Sequence, residues 1–145
     1  MKKTLSALAL MAATTLVWAQ ATPAGLWRTI DDDGKTEKSL VRIVESGGVF
    51  SGKVEKIADP AKQNSTCEKC TDARKDQKVI GMTIVQGVRK AEGEAYFDGG
   101  EILDPNNGKS YKVRMTPKDG GKTLDVRGYV GAPLLGRTQV WQRVE

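Results

Sequence analysis

The chain has no histidine among its 145 residues. That absence removes Ser-His-Asp, Cys-His and His-metal catalysis at once, because each needs an imidazole as base or ligand. Cysteine is nearly absent too, with two residues, and aromatic residues make up 6% of the chain. A structural zinc wants four ligands. One Cys-x-x-Cys supplies two, so a metal would need a dimer or added carboxylates, and no metal or cofactor is expected. The glycine pairs Gly47-Gly48, Gly99-Gly100 and Gly120-Gly121 fall between expected strands and not ahead of helices, so no phosphate-cradling loop is present. Lys and Arg outnumber Asp and Glu by 23 to 18, a net charge of +5. The two signs are interspersed, which argues against nucleic acid as a partner.

What remains for catalysis is thin. Asp98, Glu101 and Asp104 cluster in sequence, but Asp98 and Asp104 stand beside Gly and Pro as turn residues, and Glu101 reads as a solvent-facing strand residue. Asp31-Asp32-Asp33-Gly34 lacks the spacing and the later bidentate Glu of an EF-hand, and reads as a solvated turn. No catalytic residue is assigned, and the chain is not expected to be an enzyme.

The N-terminus has the form of an export signal. Met1-Lys2-Lys3 is a basic start, residues 5–17 are apolar, and Ala19-Gln20-Ala21 is an A-x-A site. Cleavage is expected after Ala21, with a cut after Ala19 as the alternative. The apolar run is too short and wrongly flanked for a stable membrane span. The reading is a signal peptide over 1–21, one domain over 22–145, and a periplasmic or secreted protein. Loss of Lys2 and Lys3 leaves 21 basic against 18 acidic residues.

The rest alternates with the period of strands. Strands are expected over 25–30, 40–44, 49–57, 79–88 (two glycines suggesting a bulge), 94–103, 110–116, 123–130 and 135–144. Asp-Pro, Asn-Gly and Gly-Gly turns lie between several of them. Residues 58–78 are irregular, with room for a short helix. About eight strands in a meander predict an all-β protein, a single closed antiparallel barrel. Tyr111, Val113 and Met115 share one face, as do Leu124 and Val126. Arg137, Gln139, Trp141 and Arg143 oppose Thr138, Val140 and Val144.

Three separated blocks then make the chain resemble a known family. They are Gly25-x-Trp27, Gly99-Gly100-x-Ile102-x-Asp104-Pro105-x-x-Gly108-Lys109-x-Tyr111, and Val126-Arg127-Gly128-Tyr129 with Leu135-Gly136-Arg137-Thr138-x-x-Trp141. They resemble domain-of-unknown-function family 2147, small exported bacterial proteins. The resemblance implies a lipocalin-like (calycin) barrel without an established activity. Gly25-x-Trp27 is also similar to the first-strand signature of lipocalins, which implies a late Arg, Arg137 or Arg143, packed on Trp27 to close the barrel.

Cys67-Glu68-Lys69-Cys70 admits three readings. It is a local disulfide that pins a long loop, a redox-active pair, or half of a metal site. The first is preferred, because the chain lacks the helix N-terminus and βαβ setting of redox pairs. Closing so few residues removes little chain entropy, so the bridge is expected to be dispensable, worth about 1 kcal/mol. If the barrel is open, Trp27, Tyr96, Tyr111 and Tyr129, with Arg127, are the candidate ligand-binding residues, since an aromatic body with a polar tip orients ligands in apolar pockets. Residues 131–135 form an apolar loop that could rim the mouth or meet a partner. The leading expectation is a binder of a small hydrophobic or amphipathic molecule or lipid in the cell envelope. The alternative is an envelope interaction module with a side-chain-filled barrel, and interior volume separates the two. Oligomeric state is not legible.

Overall fold

The computed structural model describes residues 21–145, so the expected signal segment lies outside the described residues but for Ala21. Eight strands follow in order: β1 (Gly25–Ile30), β2 (Glu37–Ser46), β3 (Val49–Ile57), β4 (Thr83–Lys90), β5 (Phe97–Asp104), β6 (Lys109–Lys118), β7 (Thr123–Tyr129) and β8 (Arg137–Arg143). Each pairs antiparallel with the next. β8 returns to β1, where Trp27 faces Arg143 and Arg28 faces Gln142, and the sheet closes as a barrel. Closure leaves no strand edge to pair with another chain. No helix among the described residues is long and apolar enough to cross a membrane.

The expected strands are met with shifted ends. β2 and β6 run further than their apolar alternation, because exposed polar residues continue the hydrogen-bonded ladder at their tips. β4 starts at Thr83 and not at Val79. The Val79 amide donates to the Ser65 carbonyl and the Gly81 amide to the Val54 carbonyl, so this stretch belongs to the preceding irregular segment. The helical content of that segment is one 3-10 turn, Pro60–Lys62, where the Asp59 carboxylate accepts from the Ala61 amide at 2.9 Å.

Two adjoining irregularities shape the barrel. Val85 pairs with Gly52 and Val88 with Phe50, so Gln86 and Gly87 share one step of the β3–β4 ladder. On β5 the register against β6 likewise slips between Phe97 and Gly100. Gly87 and Gly99 both take positive φ, 72° and 80°. A side chain on Gly100 would run into the Gln86 carbonyl and the backbone of Gly87 and Val88. Glycine is needed where two backbones approach this closely. The slips bring Val85 with Val88, and Phe97 with Gly100, onto the interior face.

Alternation then settles which residues point inward. A Cβ on Gly52 would touch Val41, Ile43 and Val85 at 3.2–3.3 Å, so these three side chains fill the space that Gly52 vacates. Val113, Met115, Leu124, Trp27 and Trp141 join them, all buried. Phe50 and Phe97 meet edge to face with centroids 5.2 Å apart. The interior is therefore packed with side chains through its lower and middle levels.

Candidate ligand-binding site

The lower end of the barrel holds the start of β1, the turns after β2, β4 and β6, and the end of β8. It is sealed. Trp27 is 0% exposed, and its indole N–H donates to the Pro23 carbonyl at 2.7 Å. The Arg143 guanidinium lies over the ring at 4.3 Å from the centroid. Its N–H groups donate to the carbonyls of Gly121, Ala24 (2.9 Å) and Thr22 (3.2 Å). One side chain thus ties the segment before β1 and the turn before β7 to the indole face, a cation–π contact in which each guanidinium nitrogen also donates a hydrogen bond. Gly25 precedes Trp27 because a side chain there would strike the Arg143 guanidinium and the Glu145 carbonyl. Of the two arginines proposed for the closing stack, Arg143 makes it. Arg137 does not.

The upper end carries the β1–β2 loop, residues 58–82, the β5–β6 turn and the β7–β8 loop. Here inward positions hold smaller or polar residues that remain partly exposed: Ser39, Ile57, Ile102, Tyr111, Gly128 and Gln139. A polar relay runs up one wall. Trp141 Nε1 donates to Gln139 Oε1 at 3.2 Å, Gln139 Nε2 to Asp32 Oδ1 at 3.2 Å, and Arg137 Nη1 to Asp32 Oδ2 at 2.6 Å. Asp32 therefore bends the β1–β2 loop toward β8. Across the mouth, the Tyr111 hydroxyl accepts from Asn107 Nδ2 at 3.0 Å. A Cβ on Gly128 would sit 3.6 Å from that of Tyr111, so the glycine leaves room for the ring.

The candidate residues scatter. Tyr111 alone of the five faces the upper interior. Trp27 is core, not cavity lining, because it is fully buried, with Arg143 over its ring and its N–H on the Pro23 carbonyl. Tyr96 precedes β5 on the outside, under the Arg114 guanidinium at 3.8 Å, and Arg114 also approaches Asp98 at 3.6 Å. Tyr129 pairs with Lys112 on the outer face. There it borders a depression of about 330 Å³ with Asp98, Gly99, Glu101 and Lys112. Arg127 is also outward and directly opposite Arg114. Like charges so placed repel, and each has a separate anchor. Arg127 donates to the carbonyls of Pro133 (2.6 Å) and Leu134 (3.3 Å) and to the Thr138 hydroxyl (2.7 Å). It clamps the β7–β8 loop, in which Leu134 and Leu135 are 87% and 78% exposed.

Cys67 and Cys70 are bonded to each other, with Cα atoms 5.4 Å apart. The local bridge expected from the spacing is present, and both cysteines are buried in the same apolar cluster as Met82, Ile84 and Leu103. Ile84 and Leu103 alternate with inward Val85 and Ile102, so they lie on the outer face, and the disulfide segment covers them. The segment also meets the β5–β6 turn, where a side chain on Gly108 would collide with the Lys69 carbonyl. The bridge is thus part of the buried core, on the outer side of β4 and β5, which alters its expected worth. Sequence reasoning missed Asp32 and this outer packing because both act through contacts distant along the chain, and Pro23 because its role is that of a backbone acceptor, four residues from the indole.

The fold is similar to that of a solved structure described as "Protein HP1028 from the human pathogen Helicobacter pylori belongs to the lipocalin family". The two are 20% identical over 86% of this chain and 84% of that chain, with a TM-score of 0.73. No curated protein matches. The model of a family described as "Uncharacterized protein conserved in bacteria (DUF2147)" matches residues 25–143. From Gly25, which makes room for the closing guanidinium, to Arg143, which supplies it, the chain belongs to this family.

Proposed function

We propose that this is an exported, non-catalytic binding protein of the bacterial envelope that takes a small amphipathic molecule at the upper end of its barrel. The observation that carries the reading is the gradient of burial along the interior. Inward apolar side chains are sealed at the base and middle, where the part-exposed Arg143 caps the floor, whereas around Tyr111, Ile102, Ile57 and Gln139 they stay partly exposed. That level offers apolar surface beside polar tips, the mixture that small-ligand sites use. The packed base argues for a shallow seat and against a deep calyx. The lipocalin-like fold supports binding in general, and the disulfide is compatible with an oxidising compartment. Native mass spectrometry of protein purified from its own host tests the reading. A retained small molecule, lost on Tyr111→Ala, is the expected result. An empty barrel that takes up no amphiphile would overturn it.

A second reading has its own observation. The apolar tip at Leu134 and Leu135 is exposed yet held by three Arg127 hydrogen bonds. A filled barrel presenting a clamped apolar tip suits contact with another envelope protein. Leu134→Asp would abolish such a contact while leaving small-molecule uptake unchanged.

A further inference from the structure

The outer face of β4 has a second concavity that the barrel reading does not use. Between residues 74–82 and β4 lies a depression of about 650 Å³, within the size range of small-molecule sites. Arg74, Gln77 and Lys78 form one wall, the part-exposed Ile80 supplies apolar surface with buried Met82 behind it, and Gln86 stands opposite on the strand.

The wall is fixed in place. The Cys67 amide donates to the Gln77 carbonyl at 2.9 Å, the Asp76 amide to the Cys67 carbonyl at 2.8 Å, and Thr66 and Lys78 form an isolated β-bridge. Arg74 is committed as well. Its guanidinium holds the Asp72 carboxylate, with Nη2 to Oδ2 at 2.6 Å, and reaches the Thr83 carbonyl at 3.1 Å. Neighbouring Lys75 pairs with Asp76. Lys78 differs from both: among the described residues it enters no ion pair. Among the described residues no carboxylate lines the depression. A rigid concavity thus offers one uncompensated ammonium beside an apolar patch.

We propose that this groove binds a small organic monoanion with a short apolar body, its carboxylate on Lys78 and its body against Ile80. One free cation balances one negative charge, which favours a monocarboxylate over a doubly charged phosphate ester. An ammonium beside low-dielectric surface holds an anion more strongly than one in open water. The site lies outside the barrel and does not depend on the upper-end reading.

Titration of 15N-labelled full chain with octanoate below its micellar concentration, followed by amide shift mapping, tests the proposal. Saturable shifts centred on residues 77–86 are expected. Lys78→Gln should weaken them roughly tenfold, the worth of one charge-assisted contact. Neutral octyl glucoside should not produce them. Because Lys78 is exposed, the variant keeps its fold, and its own spectrum verifies that. Shifts centred on Tyr111, Gly128 and Gln139 would overturn the outer site and support the upper-end reading. Absence of saturable shifts, or affinity indifferent to Lys78→Gln, would overturn the outer site alone.

Discussion

The two ends of one barrel are built from the same ladders and differ in what their inward positions carry. At the lower end those positions hold Trp27, Trp141, Met115 and Phe97, and Arg143 closes the floor with a hydrogen bond from each guanidinium nitrogen. At the upper end they hold Ser39, Gly128, Gln139 and Tyr111, and the closing contacts are an Asp32 carboxylate and an Asn107 amide at the surface. Large apolar side chains seal a barrel by area removed from water. Small and polar ones leave the same backbone circumference partly exposed to solvent. A barrel of this kind is sealed at one end and part-exposed at the other.

Breaking the lower end should have the largest effect. Trp27→Ala removes a fully buried indole and is expected to cost about 3–5 kcal/mol, read from urea unfolding. A loss under about 1 kcal/mol would mean that the floor does not carry the fold. Arg143→Met keeps much of the volume over the indole but deletes the hydrogen bonds to Thr22, Ala24 and Gly121. It should cost about 2–3 kcal/mol.

The disulfide segment sharpens the contrast at the other end. Loop entropy alone makes the bridge worth about 2 kcal/mol, somewhat more than the roughly 1 kcal/mol expected from its short span. Because both sulfurs are buried, replacing them with two hydroxyls adds a desolvation cost, so the Cys67→Ser, Cys70→Ser pair should lose about 2–4 kcal/mol. The Cys67→Ala, Cys70→Ala pair should lose less. Native-state hydrogen exchange should show the loss confined to residues 58–82, β4 and β5, with amides around Trp27 still protected. Uniform loss would make the barrel and its outer core one unit.

Tyr111→Phe should change stability by less than about 1 kcal/mol, since one part-exposed hydrogen bond to Asn107 is lost. Its effect should fall on binding. The smallest effect concerns pH. The Arg74 side chain and amide hold the Asp72 carboxyl below its usual range, and the Thr36 hydroxyl and amide do the same for Asp33. A depressed carboxyl contributes above its ordinary pKa and loses that contribution as pH falls through the lowered value. These two contacts should therefore persist unchanged from neutral pH to about pH 4 and give way only below it. Amide shifts of Arg74 and Thr36 across that range are the measurement.

Strand number, the meander and most strand positions were legible because alternation and turn chemistry are local: β1 and β3 begin and end where their apolar pattern does. The face partition of residues 137–143 was legible for the same reason. Its direction was not. Arg137, Gln139, Trp141 and Arg143 read as the polar face, yet that face points inward, because Arg143 and Gln139 spend their polar ends on backbone and carboxylate groups at the two mouths. The scatter of Tyr96, Tyr129 and Arg127 to the outside was decided in the same way, by register and not by residue type.

The sequence by itself determined an antiparallel all-β chain that closes on Gly25-x-Trp27, with its two cysteines near enough to pair. These follow from side-chain period, turn residues and spacing, which act over a few residues. Only the tertiary structure decided which arginine caps the indole, that the interior is filled at the base, and that the disulfide is buried with the core. Each of those depends on strands far apart in the chain meeting at one register, and a shift of one residue would have turned every side chain to the other face.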